Sequence, residues 1–405
     1  MRKNCLWIVL LVMSLTAALP TGAQNLSSGA GAVVLEIENE MSYIREGGQQ
    51  PVMVQAGTIL DVDDLVFPQD TSLLVLCPDG KLKDFVPGEL FPNDKLNCAV
   101  PRENYVLNIG RIDVPSLQRG GRQDPTIPYL ISPRGTLVRS QTITLYWNAP
   151  SEVMEYQLRV MGGGVDALPQ TSFAPEDVTQ GEIASTQLEL NLQPNVPYTV
   201  EICVTFQDLR QGCTTDPGWA SGTDVAFYYL PDPKLGSQDL QILEQDIVNA
   251  RGEDTPESLY ARAILVSQAL YTTPTGEPLG LRAEAISLLN RLIDNYPDST
   301  LAKSPQVYML LGDLYGSVDL LLSAARTFQR ATTFSTPCTE IAAQAYLGLA
   351  LTTPNNDTVS NLLNQALDEY YCLLQPAAFA NQYASLCEAV GDSCADFEPL
   401  ETFEG

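Results

Sequence analysis

The chain has 405 residues, 45% of them hydrophobic and 18% charged, with a formal net charge of −27 and no histidine. Such a composition belongs to a folded protein long enough for two or three domains, and its acidity opposes nucleic-acid backbones and anionic membrane surfaces. The lack of histidine excludes Ser-His-Asp and Cys-His catalysis and removes the commonest zinc ligand.

Arg2 and Lys3 precede the apolar run Leu6–Leu19, and Pro20, Thr21, Gly22 and Ala23 follow it. This pattern predicts a secretory signal peptide over residues 1–23, cleaved after Ala23. The run is short for a transmembrane helix. The mature chain is therefore expected to be secreted, periplasmic or associated with the cell envelope, and not an integral membrane protein. Of nine cysteines, Cys5 leaves with the signal. An even remainder in an exported chain points to disulfides. Their grouping is local: Cys77 is expected to pair with Cys98 and Cys203 with Cys213, while Cys338, Cys372, Cys387 and Cys394 fall together in the helical region, where Cys338–Cys372 with Cys387–Cys394 is one of the pairings open to them. No spacing resembles a clustered metal site, and without a CxxC pair a thiol redox catalyst is not expected.

Residues 31–113 read as a small β-domain. Ala32–Glu38, Met41–Arg45, Pro51–Gln55 and Ser72–Cys77 are strand segments, separated by turns at Gly47–Gly48, Asp61–Asp64 and Pro78–Gly80. The order of strand, Gly turn, Asp-rich turn, strand and Asp-Gly turn resembles the β-domain of FecR-like exported proteins. Gly57, Asp63, Ser72, Leu74, Asp79 and Gly80 carry that resemblance, which implies an envelope-sensing component as one alternative function. Asp61, Asp63 and Asp64 could hold calcium. The stretch lacks the glycine and distal glutamate of an EF-hand loop, however, so backbone capping in a turn is the expected role, and no metal is assigned.

Residues 114–128, with Arg119–Arg122 at their centre, read as a linker. Residues 129–231 form a second β-region with strands at Thr142–Trp147, Tyr156–Val160, Gln187–Leu192, Tyr198–Thr205 and Val225–Tyr229. Short strands with Pro- and Gly-containing turns predict a sandwich. The segment resembles a fibronectin type III module, with Trp147 as the core Trp and Tyr198 beside Pro197. Trp219 stands in a Gly/Ser/Thr loop as a candidate ligand-docking face. Packing over the end of the sandwich is its ordinary alternative.

The helical region is expected over residues 238–390, followed by an acidic tail at 391–405. Pro305–Pro337 reads as a helical hairpin. Tyr308, Leu311, Gly312 and Tyr315 share one face of its first helix, and Ala324, Phe328 and Ala331 share one face of its second. Gly312 and Ala324 allow close approach of the backbones, and Phe328 fills the space between. These residues resemble a tetratricopeptide repeat, whose signature spans about 34 residues. Such repeats need neighbours. They are expected at Ala261–Tyr271 with Leu281–Ser299, and at Glu340–Pro354 with Thr358–Leu374, capped by a helix at Ala377–Val390.

The resulting fold class is multidomain, with two N-terminal all-β domains followed by an all-α tetratricopeptide-like solenoid. No phosphate loop, GxSxG elbow or HExxH motif is present, so neither enzyme activity nor a cofactor is expected. The resemblance to tetratricopeptide repeats implies a groove for a protein or peptide partner, with Gln306, Asp313 and Gln344 as candidate lining residues. The alternative is a glycan or wall-polymer binder acting through the β-domains.

Overall fold

In a computed structural model, residues 31–372 are described except 40, 45–50, 62–63, 69, 91–93, 97, 99–125, 181–182, 215–226, 236–237, 270, 273–277 and 354–355. A β-rich N-terminal region precedes a helical region of several contacting helices. The signal peptide, most of the linker, Asp63, Trp219, the expected capping helix, Cys387, Cys394 and the tail lie outside the described residues.

The first unit contains β1 (Gly31–Ile37), β2 (Met41–Ile44), β3 (Val52–Met53), β4 (Ile59–Asp61), β5 (Leu65–Pro68), β6 (Leu73–Leu76), β7 (Leu82–Phe85) and β8 (Asp94–Lys95). They form two antiparallel sheets, in the orders β4-β1-β6-β7 and β3-β2-β5-β8. Ala32, Val34, Leu73 and Val75 join Met41, Tyr43, Val66 and Phe85 in one core, while Val33, Leu35, Leu74 and Leu76 belong to another shared with the helices. A strand with one buried face would alternate along Ala32–Glu38. The structure instead buries residues 31–35 on both faces, which is why the sequence there is an unbroken apolar run. Cys77 and Cys98 are joined within the first core. Gly57 and the Asp79–Gly80 pair occupy turns, with φ +92° at Gly57 and +79° at Gly80.

The second unit contains β9 (Leu130–Ser132), β10 (Thr136–Val138), β11 (Thr142–Asn148), β12 (Val153–Gly162), β13 (Val165–Phe173), a short α1 (Pro175–Val178), β14 (Thr179–Gln180), β15 (Ile183–Glu189), β16 (Pro197–Phe206), β17 (Gln211–Cys213) and β18 (Phe227–Tyr229). One sheet runs β10-β18-β16-β12-β13, with β17 also on β16, and the other runs β14-β15-β11-β9. Trp147 and Tyr156 meet edge to face at 5.5 Å, and Tyr198 stacks on Phe227 at 5.3 Å. The Tyr198 hydroxyl accepts from the Gln193 N–H at 2.6 Å, which ties the core to the turn before β16. Gly163 and Gly164 both have positive φ and close the β12–β13 hairpin. Two such residues match the right-handed twist of the strands they join.

A two-stranded ladder, β19 (Lys234–Leu235) with β20 (Gln238–Asp239), leads into the helices. Asp239 caps α2 (Leu240–Arg251) by accepting from Gln241 N–H, and Thr255 caps α3 (Pro256–Gln268), which starts on Pro256. β21 (Tyr271–Thr272) and β22 (Pro278–Leu279) pair within the turn before α4 (Arg282–Asn295). Then follow α5 (Pro305–Ser317), α6 (Leu321–Phe334), α7 (Glu340–Thr352) and α8 (Asn356–Cys372). Successive helices pack on one another, and α5 also touches α7. Cys338 and Cys372 join the start of α7 to the end of α8. Among the described residues, no helix is long and apolar enough to cross a membrane.

Candidate functional site

The later helices, α5 to α8, pack around Phe328. A Cβ added to Gly312 on α5 would lie 2.6 Å from the Phe328 ring, and one added to Gly348 on α7 would lie 2.7 Å from it. The ring is therefore gripped between two helix backbones. Tyr308, Leu311, Ala324, Phe328 and Ala331 are all buried. Tyr308 stacks on Phe334 at 5.2 Å. Tyr315 is half-buried, and its hydroxyl accepts from Asn290 Nδ2 on α4 at 3.0 Å. Burial pushes that hydroxyl above its ordinary value, against the opposing hydrogen bond.

The three groove candidates occupy different surroundings. Gln306 is half-buried at the start of α5, where its Oε1 accepts from Ser304 Oγ at 2.7 Å. The Gly57 turn of the first β unit sits against both residues, so closely that a Cβ there would collide with Ser304. Asp313 is only 8% exposed. Gln344 is half-buried on α7 and donates to Glu340 Oε1 at 3.0 Å, one helical turn earlier. The start of α5 is covered by the chain's own β-turn.

That cover is part of an extensive seam. Val33, Leu35, Ala56, Leu74 and Leu76 from the first unit and Leu137 and Tyr228 from the second share one core with α2–α5. Gly80 lies against Leu243 and Leu265, and Arg251 pairs with Asp84. At the second unit, Leu137 N–H donates to Gly280 O at 2.9 Å. Thr136 Oγ1 accepts from Ala283 N–H at 3.1 Å and lies 3.0 Å from Gly280 O. The residue at the N-cap of α4 is Leu281, which has no side-chain acceptor. Thr136 supplies that acceptor from another unit.

A polar cluster lies beside it. Arg139 binds both carboxylate oxygens of Glu244 at 2.5 and 3.1 Å and also pairs with Glu284. Arg262 Nε reaches Glu244 at 3.4 Å. Burial opposes the Arg139 charge, but its bond to Glu244 and the pull of Glu284 hold it above its ordinary value. Burial pushes the Glu284 carboxyl up, against the pull of Arg139. Arg282 donates to the carbonyls of Gly135 and Ser317 at 3.1 and 3.2 Å. Burial lowers it and Arg134, with Asp319 opposing. These residues were not singled out by sequence reasoning. The available signal was Glu244, which interrupts the apolar stripe of Leu240, Leu243 and Ile247 on α2.

In the acidic turn one carboxylate, that of Asp64, caps the backbone locally. Asp64 Oδ2 accepts from Asp61 N–H at 2.9 Å, and Asp64 N–H returns to Asp61 O at 3.0 Å. A ligand-like trio occurs elsewhere, at Glu201, Cys203 and Cys213, but the two sulfurs are bonded to each other. No family model and no curated protein matches this chain.

Proposed function

We propose that the mature chain is an exported, non-enzymatic interaction or scaffold protein whose helical stack presents the docking face for a protein or peptide. The observation that carries this reading is the core common to α2–α5 and both β units, which makes the helices and strands one platform. The three disulfides support an oxidising compartment. The grip of Gly312 and Gly348 on Phe328 supports tetratricopeptide-like packing. The Trp147 core and the Tyr198 hydroxyl bond support a fibronectin type III-like sandwich. The Gly57 and Asp79–Gly80 turns support a FecR-like first unit. In this reading the β units shape and fix one end of the stack.

With Gln306 beneath the Gly57 turn and Asp313 buried, Gln344 is the groove candidate to probe. A photo-crosslinking residue placed at 344 should trap a discrete partner in the native envelope, whereas one at Gln329, exposed on α6, should not. Equal trapping at both positions, or at neither, contradicts the assigned face.

A further inference from the structure

β16 and β17 place Cys203 opposite Cys213. Glu201 lies two residues before Cys203 on the same strand, so both side chains leave one face of the sheet. A carboxylate oxygen of Glu201 and the two Sγ atoms all lie within 4.8 Å of one another, and all three residues are half-buried. Among the described residues this is the only group of three or more His, Cys, Asp or Glu side chains so arranged.

We propose that Glu201, Cys203 and Cys213 form a redox-gated zinc site, closed by the disulfide and opened by a dithiol reductant. One thiolate of the reductant attacks a cysteine sulfur, breaking the S–S bond and forming a mixed disulfide. Its second thiol then displaces the remaining cysteine. The reductant leaves as its own disulfide, two electrons pass to the protein, and Cys203 and Cys213 end as thiols. Zinc binding releases their two protons to solvent. Glu201 supplies the third ligand and water the fourth.

This pair differs from the other disulfides. Cys77 and Cys98 are buried in a core, whereas Cys203 and Cys213 are half-buried and can be reached by a reductant; Cys338 and Cys372 are exposed but, among the described residues, stand in no such group with a carboxylate. The β16–β17 hairpin also has its own ties, from Thr214 N–H to Ile202 O at 2.9 Å, Phe206 N–H to Arg210 O at 2.9 Å and Ile202 N–H to Thr214 Oγ1 at 3.1 Å. Opening the disulfide therefore leaves the sulfurs facing each other. Finally, thiolates select zinc over the hard cations, and an open fourth position is usual where zinc has three protein ligands.

The test is Co²⁺ titration of the full mature chain, reduced with a phosphine without oxygen. The reduced wild type should bind one equivalent with a thiolate-to-cobalt charge-transfer band, displaced by Zn²⁺ and absent from the oxidised protein. Cys203→Ser/Cys213→Ser should abolish the band. Glu201→Gln should keep a thiolate band but weaken binding by about tenfold or more. No band in the reduced wild type, an equal band in the double-serine variant, or unchanged affinity in Glu201→Gln overturns the proposal. Loss of the β-sheet circular dichroism on reduction overturns it too, because the site needs the hairpin intact.

Discussion

Replacing Gly312 with Ala asks whether Phe328 holds the helices together. In an exposed helix interior this change gains about 1 kcal/mol, because Ala loses less backbone freedom on folding than Gly. Here the new methyl would stand 2.6 Å from the Phe328 ring. Carbon atoms at rest lie about 3.5–4.0 Å apart, so the ring must retreat by roughly 1 Å. It cannot retreat toward α7, where even a methyl's space at Gly348 is already within 2.7 Å of it. Overpacking of this kind costs about 1–3 kcal/mol. Taking the upper end, because the ring is blocked on both sides, and subtracting the propensity gain leaves about 2 kcal/mol of destabilisation. In a Phe328→Ala background, itself about 3–5 kcal/mol less stable, the obstacle is gone and Gly312→Ala should instead stabilise by up to about 1 kcal/mol. Urea unfolding followed by far-ultraviolet circular dichroism on the four proteins completes the cycle. The sign of the Gly312→Ala effect should reverse between backgrounds. A stabilising Gly312→Ala in the wild type, with no coupling to Phe328, refutes the grip.

Arg139→Ala leaves Glu244 and Glu284 with Arg262 alone and should cost about 2–3 kcal/mol in thermal or urea unfolding, below a fully buried pair because Arg139 is partly exposed. Glu284 has a raised folded value, so its stabilising contribution is complete below the ordinary carboxylate range and is lost as pH rises through that raised value. Glu284→Gln should therefore lack this loss of stability as pH rises from the ordinary carboxylate value through the raised one, read as a flatter pH dependence of the melting temperature than in the wild type; an unchanged slope contradicts the burial of that carboxyl. Thr136→Val removes the borrowed cap of α4 and should cost about 1–2 kcal/mol, with faster amide exchange at Ala283; unchanged exchange there contradicts the cap. Removing Cys338–Cys372, which closes a loop of sequence separation 34, should cost about 4 kcal/mol if chain entropy dominates, while a loss below about 1 kcal/mol argues against that mechanism.

Much of the helical region could be read from the sequence because its packing is local. Gly312, Ala324 and Phe328 announce a close helix pair through their spacing alone, and the Leu347–Gly348 pair does the same for α7. The Cys77–Cys98, Cys203–Cys213 and Cys338–Cys372 pairs were legible for a similar reason, since each partner lies near the other in the chain. β13 was not anticipated, because Pro169 and the polar residues around it suit an edge strand but give no alternating pattern. The double burial of β1 was also missed. Nothing within Ala32–Leu35 says that helices some two hundred residues later cover its second face. The Arg139 cluster and the Thr136 cap share that difficulty, for each joins residues more than a hundred positions apart. The covering of Gln306 by Gly57 likewise belongs to tertiary packing, which no helical periodicity records.

The common core of the β-rich region and the helices is tested most directly by native-state hydrogen exchange across a urea series. Amides of β1 and β6 and those of α3 should open together, with the same free energy and the same dependence on urea. Strands β1 and β6 that stay protected while α2–α4 exchange freely would show that the helices and the first unit are separate bodies, and the single platform would be wrong.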